Sequence, residues 1–325
     1  MDMAELLEPF DRMLEAACPP ATVRAVEAGQ GPSDAAAALW QEIAGSGFLD
    51  ALVDEAHGGA GLSLGQIEPL IEALGARAVP LPVAETMVAR ALLARAGVAA
   101  PDGPIALVSS LAQPVPSALV AGHALVDTGE TLLLCAMADL APAATGVVHS
   151  LAGRIGVAPQ GTWLERPAGG LRAIAAVLRA CLIAGAAARL CDMTTDHASQ
   201  RVQFGKPIGR QQALQQMLAV MAEDMIACRI AAQLGAAQGI DVPLAVAATA
   251  KSTASAAAAR IAASAHAVHG AIGISEEYDL QLLTRRLHEW RMADGSEGYW
   301  TRALGEARLG ASEGSVDFVR SAVFA

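Results

Sequence analysis

Aromatic side chains are scarce in this chain of 325 residues, at 3% of the total, while hydrophobic residues reach 54%. The interior must therefore be built from small aliphatic side chains, alanine above all, which favours close helix packing. Basic charge is also short: 22 Lys and Arg face 33 Asp and Glu, a net charge of −11. That balance opposes binding to nucleic acid phosphates or anionic lipid. Cysteine occurs at 18, 135, 181, 191 and 228, with no CxxC pair and no metal-ligand cluster, so free buried thiols in a reducing compartment are expected. The N-terminus, Met1-Asp2-Met3-Ala4-Glu5, lacks the basic start of a signal or transit peptide. Arg172, Arg179 and Arg189 interrupt the most apolar stretch, so no membrane span is expected and a cytoplasmic location follows.

Helical periodicity dominates what is there. Leu6, Leu7, Phe10, Met13 and Leu14 form one stripe over residues 4 to 17, and 84 to 96 reads as another helix before Gly97. The period changes between about 101 and 165. Ala118-Leu119-Val120, Ala124-Leu125-Val126 and Thr131-Leu132-Leu133-Leu134 are short apolar runs, the last two joined by Asp127-Thr128-Gly129-Glu130, which is hairpin chemistry. Val147-Val148 and Arg154-Ile155-Gly156-Val157 extend the strand-like character.

Helix returns at about Leu171. Leu171, Ile174, Leu178, Leu182, Gly185 and Ala188 recur at three or four residues, as do Leu214, Met217, Leu218, Met221, Met225 and Cys228. A methionine stripe at this spacing is core before it is a cofactor lining. Ala245 to Ala267 is nearly all small residues, so neighbouring helices can approach closely. The expected fold is mainly α: an N-terminal helical domain over 1–100, a reduced antiparallel β region over 101–165, and a C-terminal four-helix bundle over 166–325.

Three separated runs carry the most chemistry. The run Arg201-Val202-Gln203-Phe204-Gly205-Lys206-Pro207-Ile208 is followed by His269-Gly270-Ala271-Ile272-Gly273 and Met292-Ala293-Asp294-Gly295-Ser296. Near the start, Asp54-Glu55-Ala56-His57-Gly58-Gly59-Ala60-Gly61 and Glu72-Ala73-Leu74-Gly75 stand in matching order. These blocks together resemble the acyl-CoA dehydrogenases, which remove the α-proton of an acyl-CoA thioester with a carboxylate while the β-hydrogen leaves as hydride to FAD.

The resemblance implies roles residue by residue. Asp294 stands where the family has its catalytic Glu before a Gly-Thr, one methylene shorter, and Ser296 stands for the Thr. Arg201 would contact the FAD pyrophosphate of a neighbouring subunit, Phe204 would pack near the cofactor, and Gln212 would donate to it. Gly270 and Gly273 would bring backbone toward the FAD pyrophosphate, although Ala267 and Ala271 replace a Gln and a Gly of that segment. Asp294 has a second reading, as a turn residue or helix cap, since Asp-Gly-Ser suits either. Glu297, about 4.5 Å further along a helix, is a secondary candidate base. His266 and His269 with nearby Glu residues lack a third ligand at metal spacing. Arg285 matches a family position that forms a structural ion pair.

The middle departs from the family. No Thr-Glu-Pro or Gly-Ser flavin motif occurs between 101 and 165, and the region is about half the usual length. Such compact chains resemble the short subunit of bacterial heteromeric α2β2 enzymes. The resemblance implies α,β-dehydrogenation of a CoA thioester, with bulky steroid-type esters as the substrate class by analogy. Its implied partners are a full-length dehydrogenase subunit in a heterotetramer, or other copies in a homo-oligomer, and an electron acceptor such as an electron-transfer flavoprotein. The competing reading is a non-catalytic scaffold subunit that stabilises a partner dehydrogenase and its flavin.

Overall fold

The computed structural model describes residues 3–167 and 169–324. Five helices come first: α1 (Met3–Ala17), α2 (Pro20–Ala28), α3 (Asp34–Gly45), α4 (Leu64–Ala76) and α5 (Val83–Arg95). The Ser63 hydroxyl accepts from the Gln66 amide while the Gln66 side chain accepts from Ser63 N, so α4 begins at a reciprocal capping box. In the loop before α4, Gly59 lies against its own chain: a Cβ there would sit 2.1 Å from the Val53 carbonyl oxygen.

The β region is smaller and more mixed than its sequence suggests. Strands β1 (Ile105–Val108), β2 (His123–Asp127) and β3 (Thr131–Ala136) are followed by the two-residue β4 (Ala143–Ala144) and β5 (Gly153–Arg154), which pair with each other, and by β6 (Thr162–Glu165). The main sheet has the order β1-β2-β3-β6. β2 and β3 form the expected antiparallel hairpin around residues 128–130. β1 pairs with β2 in parallel, so the sheet is not purely antiparallel. The run Ala118-Leu119-Val120 is turn rather than strand, because Ser117 takes φ 57° and its carbonyl accepts from the amides of Val120 and Ala121.

The largest element is α6 (Gly170–Gln200). By length and composition it is apolar enough to cross a membrane, contrary to the sequence expectation, but 89% of its most apolar window is buried inside the protein. Its apolarity is used against α4, α7 (Gln212–Ala236) and α8 (Leu244–His269). A two-strand hairpin, β7 (Val202–Gln203) and β8 (Lys206–Pro207), joins α6 to α7. After α8 come α9 (Leu280–Met292), α10 (Glu297–Gly310) and α11 (Ser315–Ala322). The protein is mainly helical, as expected, with α6, α7, α8 and α9 packed together in its C-terminal half. The alanines of α8 let it touch α6 across the bundle as well as its sequence neighbours.

α4 and α6 meet almost backbone to backbone. A Cβ on Gly75 would lie 2.1 Å from the Leu182 carbonyl oxygen, and one on Gly185 1.8 Å from that of Glu72. Glu68, 4% exposed, sits on the same helix as Glu72, and its Oε1 has no hydrogen-bond partner. Burial and the neighbouring Glu72 push its carboxyl up to about 8. A carboxyl raised in the folded state contributes stability below its unfolded value that is lost as pH rises through 8. Glu68→Gln should therefore raise the melting temperature at pH 9 and leave it nearly unchanged at pH 5; equal shifts at both pH values would contradict this.

Candidate functional site

The turn between α9 and α10 is built from a backbone that few side chains accept. Asp294 has φ 57° and Gly295 φ 108°, and a Cβ on Gly295 would sit 2.6 Å from the Tyr299 ring. Left-handed geometry at a non-glycine residue persists only where surrounding contacts hold it. Here they do. The Asp294 carbonyl accepts from Trp300 Nε1 at 3.1 Å, and the buried Lys251 Nζ donates to the carbonyls of Arg291 (2.8 Å) and Gly295 (2.9 Å) and to Ser255 Oγ (2.8 Å). Burial pushes the Lys251 ammonium down to about 7, with Asp294 pulling the other way. Ser296, not Asp294, caps α10, accepting from the Tyr299 amide.

The Asp294 side chain points inward. Its Oδ1 accepts from Ser109 Oγ at 2.6 Å and its Oδ2 from Arg179 Nε at 3.0 Å. Arg179 also donates through Nη1 to Glu85. The three side chains are 3%, 2% and 4% exposed, so this is a dry ion-pair triad joining the α9–α10 turn, α6 and α5. Burial opposes the Arg179 charge, but the two carboxylates together hold it above its ordinary range. Both oxygens of this carboxylate are thus already engaged by protein donors in a buried setting.

Glu297 is likewise engaged, accepting from Arg291 Nε and Nη2, and that contact holds its carboxyl below the usual range. Arg285 pairs with Glu27 at 2.7 Å. His266 Nε2 lies 3.0 Å from Thr284 Oγ1, and His269 donates through Nδ1 to the Ala265 carbonyl while stacking on His197.

The other motif residues gather elsewhere. Phe204 and Gly205 form the tip of the β7–β8 hairpin, both at positive φ, and Phe204 is 92% exposed. Arg201 precedes that hairpin and Gln212 opens α7, both exposed; Gly270, at φ 62° and exposed, closes α8 at the same end of the bundle, whereas Gly273 is buried against His269 and Leu280. From Ser255 to His269 the helix rises about 21 Å, which separates this cluster from Asp294 and Ser296. Arg201 and Gln212 are exposed there, and the backbone at Gly270 is open to solvent.

Beside the turn, a cavity of about 600 Å³ lies between α9 and the β-region loops, lined in part by Val147, Val148, Met292 and Ala293. Pro114 and Pro116 stand on its wall and offer no N–H donors there. Sequence reasoning saw Arg179 only as a break in an apolar run. It missed Glu85 and Ser109, since the triad joins positions 94 and 115 residues apart.

Removing Arg179 leaves two buried carboxylates without a counter-charge. Arg179→Met should cost about 3–5 kcal/mol in urea unfolding. Arg291→Met, which breaks a half-exposed pair, should cost less than about 1 kcal/mol. Equal losses would show that the triad carries no special weight.

The sequence from 173 to 309 matches the family described as "Acyl-CoA dehydrogenase, C-terminal domain". The acyl-CoA dehydrogenase IpdE2 of Mycolicibacterium smegmatis is 30% identical over 87% of this chain and 91% of its own length; that of Mycobacterium tuberculosis is 32% identical over 83% and 85%. Among solved structures, the ChsE4–ChsE5 complex from Mycobacterium tuberculosis matches with TM-score 0.79 at 21% identity, over 96% of this chain and 99% of that one. A Tcur3481–Tcur3483 steroid ACAD variant matches with TM-score 0.76 at 24% identity, over 94% and 96%. With 30% identity to a family member over 87% of its length, and residues 173–309 matching the family's C-terminal domain, this chain belongs to the acyl-CoA dehydrogenase family.

Proposed function

We propose that this chain is the short, supporting subunit of a heteromeric FAD-dependent acyl-CoA dehydrogenase, and that a full-length partner supplies the base. The observation that carries this reading is the engagement of both Asp294 carboxylate oxygens, by Arg179 and Ser109. A general base must reach the α-proton within hydrogen-bond distance. Asp294 could do so only by abandoning a buried cation, and a displacement of about 1 Å in such a group already costs roughly 100-fold in rate.

The remaining residues suit a contribution made across an interface. Arg201, Gln212 and Gly270 would offer donors to the FAD diphosphate, and Phe204 would cover its flank. The planar fork of Arg suits two phosphate oxygens at once. FAD supplies the hydride acceptor for the β-hydrogen, and the electrons then pass to an external acceptor such as an electron-transfer flavoprotein. Ser296, bound to the α10 backbone as a cap, would meet the flavin only through that turn.

A heterotetramer is supported by the neighbouring structure that is a complex of two differently named chains, and a steroid-type CoA thioester by the neighbour described as a steroid ACAD.

The test is flavin stoichiometry. Purified alone, the chain should hold far less than one FAD per chain; purified with a full-length family member that retains the Glu-Gly-Thr motif, the assembly should hold one FAD per pair of chains. A yellow homo-oligomer with one tightly bound FAD per chain would overturn the reading.

A further inference from the structure

A second cavity, of about 780 Å³, is lined in part by Ser109 and Trp300, both of which bond Asp294. It is walled by the start of α6, the entry to α8, the first turn of α10, and the loops after β1 and β2. Four charged residues line it: Asp127, Arg166, Arg172 and Asp241. Both acids are already matched. Asp127 accepts from Arg166 Nε at 2.6 Å and from the amides of Gly129 and Leu171, and Asp241 pairs with Arg95 at 3.2 Å.

Arg172 is different. Among the described residues no carboxylate pairs with it. Its Nη1 donates to Tyr299 Oη at 2.8 Å, its Nη2 reaches the Ser109 carbonyl only at 3.5 Å, and its Nε is buried with no partner. The guanidinium lies 5.0 Å from the centre of the Tyr299 ring, which orients it without neutralising it. In a chain of net charge −11, an uncompensated and under-bonded cation on a cavity wall is where an oxyanion gains most. Leu111, Ala173, Val242, Pro243 and Leu244 give the wall an apolar face, beside the hydroxyl-bearing Ser109, Ser110 and Thr128.

We propose that this cavity binds an amphipathic oxyanion, a molecule with an apolar body and a carboxylate or phosphate head, and that Arg172 with Tyr299 holds the head. The site does not depend on which chain supplies the catalytic base. Its test reads binding alone, so its failure and that of the functional reading are distinguishable.

Calorimetric titration of the full chain with octanoate, 1-octanol and coenzyme A tests it. Octanoate or coenzyme A should bind at least about tenfold more tightly than 1-octanol, the size of one charge-assisted contact. Binding of octanoate alone assigns the head to a carboxylate, and binding of coenzyme A alone assigns it to a phosphate. Arg172→Gln should remove that preference while Arg172→Lys keeps part of it, with unchanged melting temperature showing that both variants are folded. Equal affinity for octanoate and 1-octanol with no coenzyme A binding, or an Arg172→Gln variant that keeps full oxyanion affinity, would overturn the proposal.

Discussion

Arg179 is a cation placed where almost no water reaches, and the site region is organised around satisfying it. One carboxylate from α5 and one from the α9–α10 turn flank the guanidinium. A buried charge left unpaired is among the most costly features a fold can carry. The position of the turn is therefore fixed by α6, and with it the direction in which Asp294 faces. Lys251 repeats the device one layer away, tying the turn's carbonyls to α8. The strained φ of Asp294 is tolerated because four contacts, from Arg179, Ser109, Trp300 and Lys251, hold the residue and the glycine after it.

This arrangement separates two things that a base site must combine. Burial is retained, but the free carboxylate is not. Arg201, Phe204, Gln212 and Gly270, proposed above to meet the cofactor, lie exposed at the other end of the bundle. On the proposed reading, such a subunit would lend donors and stability to a shared site while a partner chain abstracts the proton.

The helical architecture was legible because the stripes on α1, α6 and α7 repeat at three to four residues, and the hairpin of β2 and β3 because Asp127-Thr128-Gly129-Glu130 separates two apolar runs. β1 escaped notice: four consecutive buried residues carry no alternation, and a parallel partner cannot be read from a turn. α6 was apolar enough to resemble a membrane helix by length, yet its three arginines suggested otherwise; burial against α4, α7 and α8 is the physical resolution. At the site, the motif located the turn. It could not reveal that Asp294 meets Arg179, because the pairing is a tertiary contact between residues 115 apart, and an arginine inside an apolar helix has no local signature of its partner.

The most direct measurement is the rate of flavin reduction by an acyl-CoA substrate in the assembled enzyme, by stopped flow, with Asp294→Asn in this chain. Asn is nearly isosteric, keeps a carbonyl oxygen for Ser109 or Arg179, and leaves Glu85 to balance the guanidinium. If Asp294 is an anchoring carboxylate, assemblies with unchanged FAD content should reduce their flavin within about tenfold of the unaltered rate. A fall of about 100-fold or more at unchanged FAD content, the usual consequence of losing a general base, would contradict the account and return the base to this chain.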